Sequence, residues 1–148
     1  MTELHLRAMQ PEDSAAWQPL WRGYLEFYAA DLADEVTRTT WQRLLDPAEP
    51  MFGLVAERGG ALVGFAHCVL HRGTWSLTRH CYLEDLYVAP EARGGGVGRA
   101  LIAAVYREAD ARSADRVYWL THASNGTARA LYDRVAQRSG YIHYVRQA

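Results

Sequence analysis

The hydrophobic positions along this chain change period several times, and each change marks a predicted element. "ELHLRAM" alternates Leu4 and Leu6 with polar residues, as a short strand does. Pro11 with Asp13 or Ser14 then opens a helix. Trp17, Leu20, Trp21, Tyr24, Phe27 and Tyr28 recur along it at helical spacing, and Pro19 is placed to kink its first turns. Trp41, Leu44 and Leu45 mark a second short helix that ends before Pro47. "MFGLVAE" and "ALVGFAHCVLH" are apolar runs separated by "RGG" at Arg58 to Gly60, which predicts a hairpin. "CYLEDLYVAP" is a further strand, stopped by Pro90. From Val97 onward, Leu101, Ala104 and Val105 give one helix face. "RVYWLT" reads as a strand, "TARALYDRVAQRSG" as a helix ending at Gly140, and "YIHYVRQ" as a closing strand.

The order is therefore strand, helices, three strands, helix, strand, helix, strand. Hairpins and strand–helix–strand units alternate in it, which predicts an α/β fold with a mixed sheet. At 148 residues the chain fits one domain, with no repeat or linker to divide it.

Composition narrows the chemistry. The formal net charge is −1, so no overall basic field exists to hold nucleic acid or an anionic membrane. All 16 basic residues are arginine, which removes any Schiff-base lysine mechanism. The two cysteines, Cys68 and Cys81, and the six histidines show no metal-ligand spacing, and no metal is expected. Few thiols, no signal-peptide pattern and no run of about 18 apolar residues predict a cytoplasmic protein outside the membrane.

One stretch stands apart. "EARGGGVGRALI" places Gly94, Gly95, Gly96 and Gly98 directly before a helix, with Arg93 and Arg99 on either side. Glycines here permit unusual backbone angles and close approach of N–H groups to a ligand, and the helix start adds free donors and partial positive charge. An anionic phosphate is the natural guest. A P-loop requires Gly-Lys-Ser/Thr, but Gly98 is followed by Arg99 and Ala100. The dinucleotide fingerprint requires a third glycine or alanine where Arg99 or Leu101 stands. What remains is Arg-x-x-Gly-x-Gly, from Arg93, Gly96 and Gly98.

With "YLEDLYVAPEARGGGVGRALI" before it and "SNGTARALYDRVAQRSGYIHY" after it, this loop resembles the GNAT superfamily of N-acetyltransferases over residues 82–144. "VYWLT…SN…LYDRV" looks most like the histone/polyamine acetyltransferase branch and its bacterial relatives. The resemblance implies a GNAT fold: a mixed, mostly antiparallel sheet of about 6–7 strands flanked by about four helices. It implies acetyl-CoA as cosubstrate, its pyrophosphate held by Arg93, Gly94, Gly95, Gly96, Val97, Gly98 and Arg99. It implies that the backbone of Leu86, Tyr87 and Val88 pairs with pantetheine, and that the Val88 N–H donates to the thioester oxygen as it gains charge. It further implies that Asn125, which is also placed to cap a helix, meets the pantetheine arm. Tyr132 would be the general acid that protonates the departing thiolate.

A base is also needed. Glu84 and Asp85 are carboxylates in an otherwise apolar strand, and either could deprotonate an incoming amine, with burial raising its pKa. Strand alternation puts them on opposite faces and leaves open which one meets the cleft. No nucleophile has an evident partner base, so direct transfer is expected. The resemblance implies a primary amine as acceptor, a polyamine, an amino acid or a lysine-like small molecule, with protein lysines also open. Glu26, Asp31, Asp34 and Glu35 cluster after the first helix and read as a solvated acidic face. Relatives are commonly dimers, so a homodimer is expected, with "YIHYVRQA" available to pair between subunits. The alternative from another class is a non-catalytic acyl-CoA-binding module.

Overall fold

The computed structural model describes residues 2–148. β1 (Leu4–Ala8) leads through a single 3-10 turn into α1 (Ser14–Phe27), and α2 (Asp34–Leu45) follows. β2 (Met51–Arg58) and β3 (Ala61–Arg72) form the predicted hairpin, turning through Gly59 and Gly60. β4 (Arg79–Val88), α3 (Val97–Ala111), β5 (Arg116–Tyr118) and α4 (Gly126–Val135) complete the order. α1 continues through Pro19.

The five strands lie in sequence order. β1 to β4 pair antiparallel, and β5 joins β4 in parallel after the α3 crossover. Alternation splits the sheet into two faces. Leu54, Ala56, Ala66, Cys68, Cys81 and Leu83 face α3, whose Leu101, Ile102 and Val105 are fully buried against them. Val55, Phe65 and Tyr87 face the other way, onto Trp17, Leu20 and Trp21 of α1 and Leu44 of α2. Burying a large apolar side chain stabilises by about 1.5–3 kcal/mol, so these two layers hold the sheet between them.

Three expectations are corrected. The sheet has five strands among the described residues, not six or seven, because residues 136–148 form neither helix nor strand. Tyr141, Ile142, Tyr144 and Val145 are exposed, and a strand without a neighbour to bond has nothing to hold it extended. The last helix accordingly ends at Val135 rather than Gly140, and β5 is three residues long rather than the predicted six.

The start of α1 is fixed by charge. Arg7 Nη1 and Nη2 donate to both oxygens of Asp13, at 2.8 and 2.9 Å, and the Gln10 N–H donates to the same carboxylate at 2.8 Å. The Arg7 hydrogen bond holds the Asp13 pKa below its usual range, with burial opposing. A depressed carboxylate pKa contributes stability that is fully present above the unfolded value, near pH 4, and is lost as pH falls through the folded value. Asp13→Asn should therefore lower the melting temperature at neutral pH, by roughly 1–3 kcal/mol of stability, and the difference should shrink as pH drops below about 4. Thermal melts of both proteins across pH check this.

Candidate active site

Two local events on β4 make the site. The first is the end of its pairing with β5. Only His80, Cys81 and Tyr82 match Arg116, Val117 and Tyr118, and the stacked rings of Tyr82 and Tyr118, with centroids 4.9 Å apart, stand at the last paired position. Beyond them the chain after β5 turns away toward α4, and β4 runs on to Val88 with that edge unpaired. The second is a bulge. His67 pairs with Asp85 and Cys68 with Leu83, so Glu84 has no partner. One extra residue switches the side-chain alternation. Leu83 packs on the α3 side, and after the bulge Leu86 and Val88 do so as well, while Tyr87 packs on the α1 side.

The bulge revises the reading of the two carboxylates, because regular alternation breaks at Glu84. Asp85 turns toward α1, where its oxygens accept from Tyr24 Oη at 2.7 Å and from His67 Nδ1 at 2.9 Å. Glu84 lines the cleft at the parted edge together with Tyr24, Tyr28, Leu86, Trp119 and Tyr132. Burial, and then the nearby Asp85 charge, raise the Glu84 pKa.

The free edge carries specific backbone groups. The Ala89 N–H donates to Val63 O at 2.8 Å, so Ala89 faces β3. By strand alternation Leu86 and Val88 point their N–H and C=O groups toward the cleft, whereas Tyr87 points its own toward β3. The Tyr87 side chain is buried against α1, beside Gly23.

At the end of β4 the chain makes one 3-10 turn, Pro90–Ala92, and enters the glycine loop. Gly94 and Gly96 have φ of 81° and 82°, and Gly96 is the N-cap of α3. A Cβ on either would meet nothing within 4 Å, so the dihedral, not space, selects glycine there. The N–H groups of Val97, Gly98 and Arg99 are the first of the helix and have no intrahelical acceptor; the ladder begins with Ala100 N–H to Gly96 O, 3.0 Å. The Val97 side chain is buried in the core. Arg99 is exposed. Arg93 turns back, donating through Nε to Val88 O at 3.0 Å with its guanidinium 5.5 Å from the Tyr87 ring centre. Arg58, at the end of β2, was not legible as a loop neighbour. Its Nη1 lies 3.7 Å from where a Gly95 Cβ would begin.

On the far side, Tyr132 of α4 stands edge-on to Trp119, 5.4 Å between centroids, and burial followed by the nearby Tyr28 raises its pKa. Asn125 occupies the N-cap position of α4, and its carbonyl accepts from Arg129 N–H at 3.0 Å. Its side chain does not cap the helix; Nδ2 reaches Thr121 Oγ1 at 3.4 Å instead. Cys68 and Cys81 are buried in the α3-side core, where the hydrogen bond to Cys81 and then burial push the Cys68 thiol up. Of the acidic cluster, Glu26, Asp31 and Asp34 line a separate cavity of about 350 Å³ between α1 and α2.

The candidate site thus has three features: the parted edge of β4, the free N–H groups at the start of α3, and a cleft lined by a carboxylate and a phenol. The model of the acetyltransferase (GNAT) family matches residues 14–136, and the chain belongs to that family. It is an N-acetyltransferase, of a family whose cosubstrate is acetyl-CoA. The chain is 39% identical over 144 residues to a D-amino-acid N-acetyltransferase, HPA3, of Saccharomyces cerevisiae, covering 95% of this chain and 89% of that one. It is 31% identical over 145 residues to an uncharacterized N-acetyltransferase, YhfO, of Bacillus subtilis, with 95% of each covered. Among solved structures it superposes on the aminoglycoside N-acetyltransferase AAC(6')-Iy bound to CoA with a TM-score of 0.85 at 18% identity, over 99% of this chain and 96% of that chain. These likenesses establish the family and the fold without selecting the histone/polyamine branch.

The loop yields a direct prediction. Gly96→Ala places a Cβ in left-handed backbone, which costs roughly 1–2 kcal/mol and distorts the donors before α3. Its affinity for coenzyme A should fall about tenfold or more by calorimetry, whereas Gly98→Ala, whose Cβ would meet Leu131 at an ordinary 3.5 Å, should bind nearly as the wild type does.

Proposed function

We propose that the protein moves the acetyl group of acetyl-CoA directly onto the primary amine of a small molecule, with Glu84 as base and Tyr132 as acid. The observation that carries this reading is the cleft itself, where Glu84 and Tyr132 line one cavity at the unpaired edge of β4. The N–H groups from Gly94 to Arg99 suit a diphosphate, and the N–H and C=O of Leu86 with the N–H of Val88 suit an extended amide-bearing arm laid along the edge, where the Val88 C=O already accepts from Arg93.

The division of labour follows from environment. An amine must lose a proton to attack, and a carboxylate whose pKa is raised is a stronger base than one at its ordinary value. Glu84 meets that need, directly or through one water; Asp85 already accepts two hydrogen bonds on the α1 side. In this reading the Val88 N–H stabilises the oxygen that gains charge as the carbonyl carbon becomes tetrahedral. Tyr132, kept protonated by burial, donates to the thiolate as it leaves, whose ordinary pKa is about 8.5. The buried cysteines take no part, so no acyl-enzyme forms. The yeast relative named for D-amino acids and the aminoglycoside enzymes of the same fold support amine acceptors as a class.

The test is coenzyme A release with acetyl-CoA and a panel comprising a diamine, a D-amino acid and an aminoglycoside. Tyr132→Phe should lower kcat about 10²-fold or more while acetyl-CoA still binds. In the wild type kcat/KM should rise with pH through a Glu84 pKa lying above the usual carboxylate value of about 4.3, because the base works only when ionised. Glu84→Gln should remove that limb. Full turnover in both variants would contradict these roles.

We further propose a homodimer in which the exposed segment with Tyr141, Ile142, Tyr144 and Val145 gains a strand partner from the second copy. Light scattering should give twice the mass of the chain, and a chain ending at Arg138 should give the monomer mass.

A further inference from the structure

Beneath the cleft runs a line of buried polar groups that the transfer steps above do not use. Trp17 Nε1 lies 3.0 Å from His67 Nε2, His67 Nδ1 lies 2.9 Å from Asp85 Oδ2, and Tyr24 Oη lies 2.7 Å from Asp85 Oδ1. Trp17 is 1% exposed and His67 2%, so at that end water does not replace these partners.

The direction of every hydrogen bond follows from what the groups can do. An indole N–H only donates, so His67 Nε2 accepts. A neutral imidazole then carries its hydrogen on Nδ1, which donates to Asp85. The carboxylate only accepts, so its other oxygen takes the hydrogen of Tyr24. Tyr24 thus has no hydrogen left to offer, and its phenol oxygen keeps a free lone pair. Burial, then the Asp85 charge, raise the Tyr24 pKa and keep the phenol protonated in this arrangement. Tyr24 also lines the same cleft as Glu84 and Tyr132.

Resting on the acetyl-transfer reading, we infer that Tyr24 is a binding residue for the acceptor: its phenol oxygen accepts a hydrogen bond from the substrate amine, and the Trp17–His67–Asp85 line holds it as an acceptor. An N–H donor complements that oxygen, whereas a carbonyl or carboxylate at the same point would set lone pair against lone pair. The ring of Tyr28, centred 5.0 Å from that of Tyr24, offers an ammonium group a second favourable surface. Glu84 lies in the same cleft, so the amine would be held beside the group that takes its proton. Asp85 is then a positioning residue: it acts on the acceptor through Tyr24.

Steady-state kinetics with acetyl-CoA and putrescine, D-alanine or neamine, whichever turns over, tests this. Tyr24→Phe keeps the ring and loses the oxygen. It should raise KM for the amine about tenfold, with kcat and the KM for acetyl-CoA changed less than about twofold, as loss of one hydrogen bond to a charged or polar group implies. Asp85→Asn supplies a second, independent readout. His67 would hold the amide oxygen, the amide NH2 would face Tyr24, and the phenol hydrogen would swing toward the cleft. The amine KM should then rise more than in Tyr24→Phe, and Asp85→Asn should add little to amine KM in a Tyr24→Phe background. An unchanged amine KM in Tyr24→Phe, or a change carried by the acetyl-CoA KM, overturns the inference while leaving the transfer reading intact. Additive effects of the two substitutions on amine KM also overturn it. A wild-type protein inactive with every amine overturns the transfer reading, and this inference with it.

Discussion

The parting of β4 from β5 after Tyr82 and Tyr118 is the constraint on which the rest of the site depends. A sheet normally satisfies its backbone by pairing every internal strand along its length. Here β4 has β3 on one side throughout and β5 on the other for three residues only. The remaining donors and acceptors of that edge must find another partner. In this family the cosubstrate is acetyl-CoA, and an extended arm with amide groups is chemically suited to such an edge. β4 holds its course past the end of β5 because both of its faces are packed, by α3 on one side and α1 on the other. The cost of the unpaired backbone is set against two buried layers.

The bulge at Glu84 does the second part of the work. Without it, regular alternation would put Asp85 on the face of Leu83, away from Tyr24 of α1. With it, two adjacent acids acquire different surroundings: one accepts two hydrogen bonds beneath α1, the other sits in the cleft with its pKa raised. Neighbouring carboxylates in different environments are how one strand supplies both a fixed anchor and a titrating group. The glycine loop adds a third feature at the far end of the same strand. Strand edge, bulge and loop are thus contiguous along residues 80–99.

Much of this was legible in the residues. The glycine spacing from Gly94 to Gly98, the helix behind it and the apolar run ending at Pro90 each had one physical reading, and the helices and hairpin followed from hydrophobic period alone. Period could not reveal the bulge, because "YLEDLYV" alternates acceptably either way; the extra residue is visible only in its pairing with His67 and Cys68. Nor could it reveal Arg58 over Gly95, or the Trp17–His67–Asp85–Tyr24 line, since these join residues far apart in the chain. Tyr24 looked like one more core aromatic on an amphipathic helix. The closing strand failed for a different reason: "YIHYVRQ" has strand composition, but a strand is defined by its pairing, and this segment pairs with none of the five strands of the described sheet.

The seat proposed for the cosubstrate is tested most directly by amide hydrogen exchange, residue by residue, with and without acetyl-CoA. The N–H groups of Leu86 and Val88 and those from Gly94 to Arg99 should become strongly protected on binding, while Tyr87, already directed to β3, should change little. Binding that leaves Leu86, Val88 and the loop unprotected, or that protects Tyr87 in their place, would contradict it.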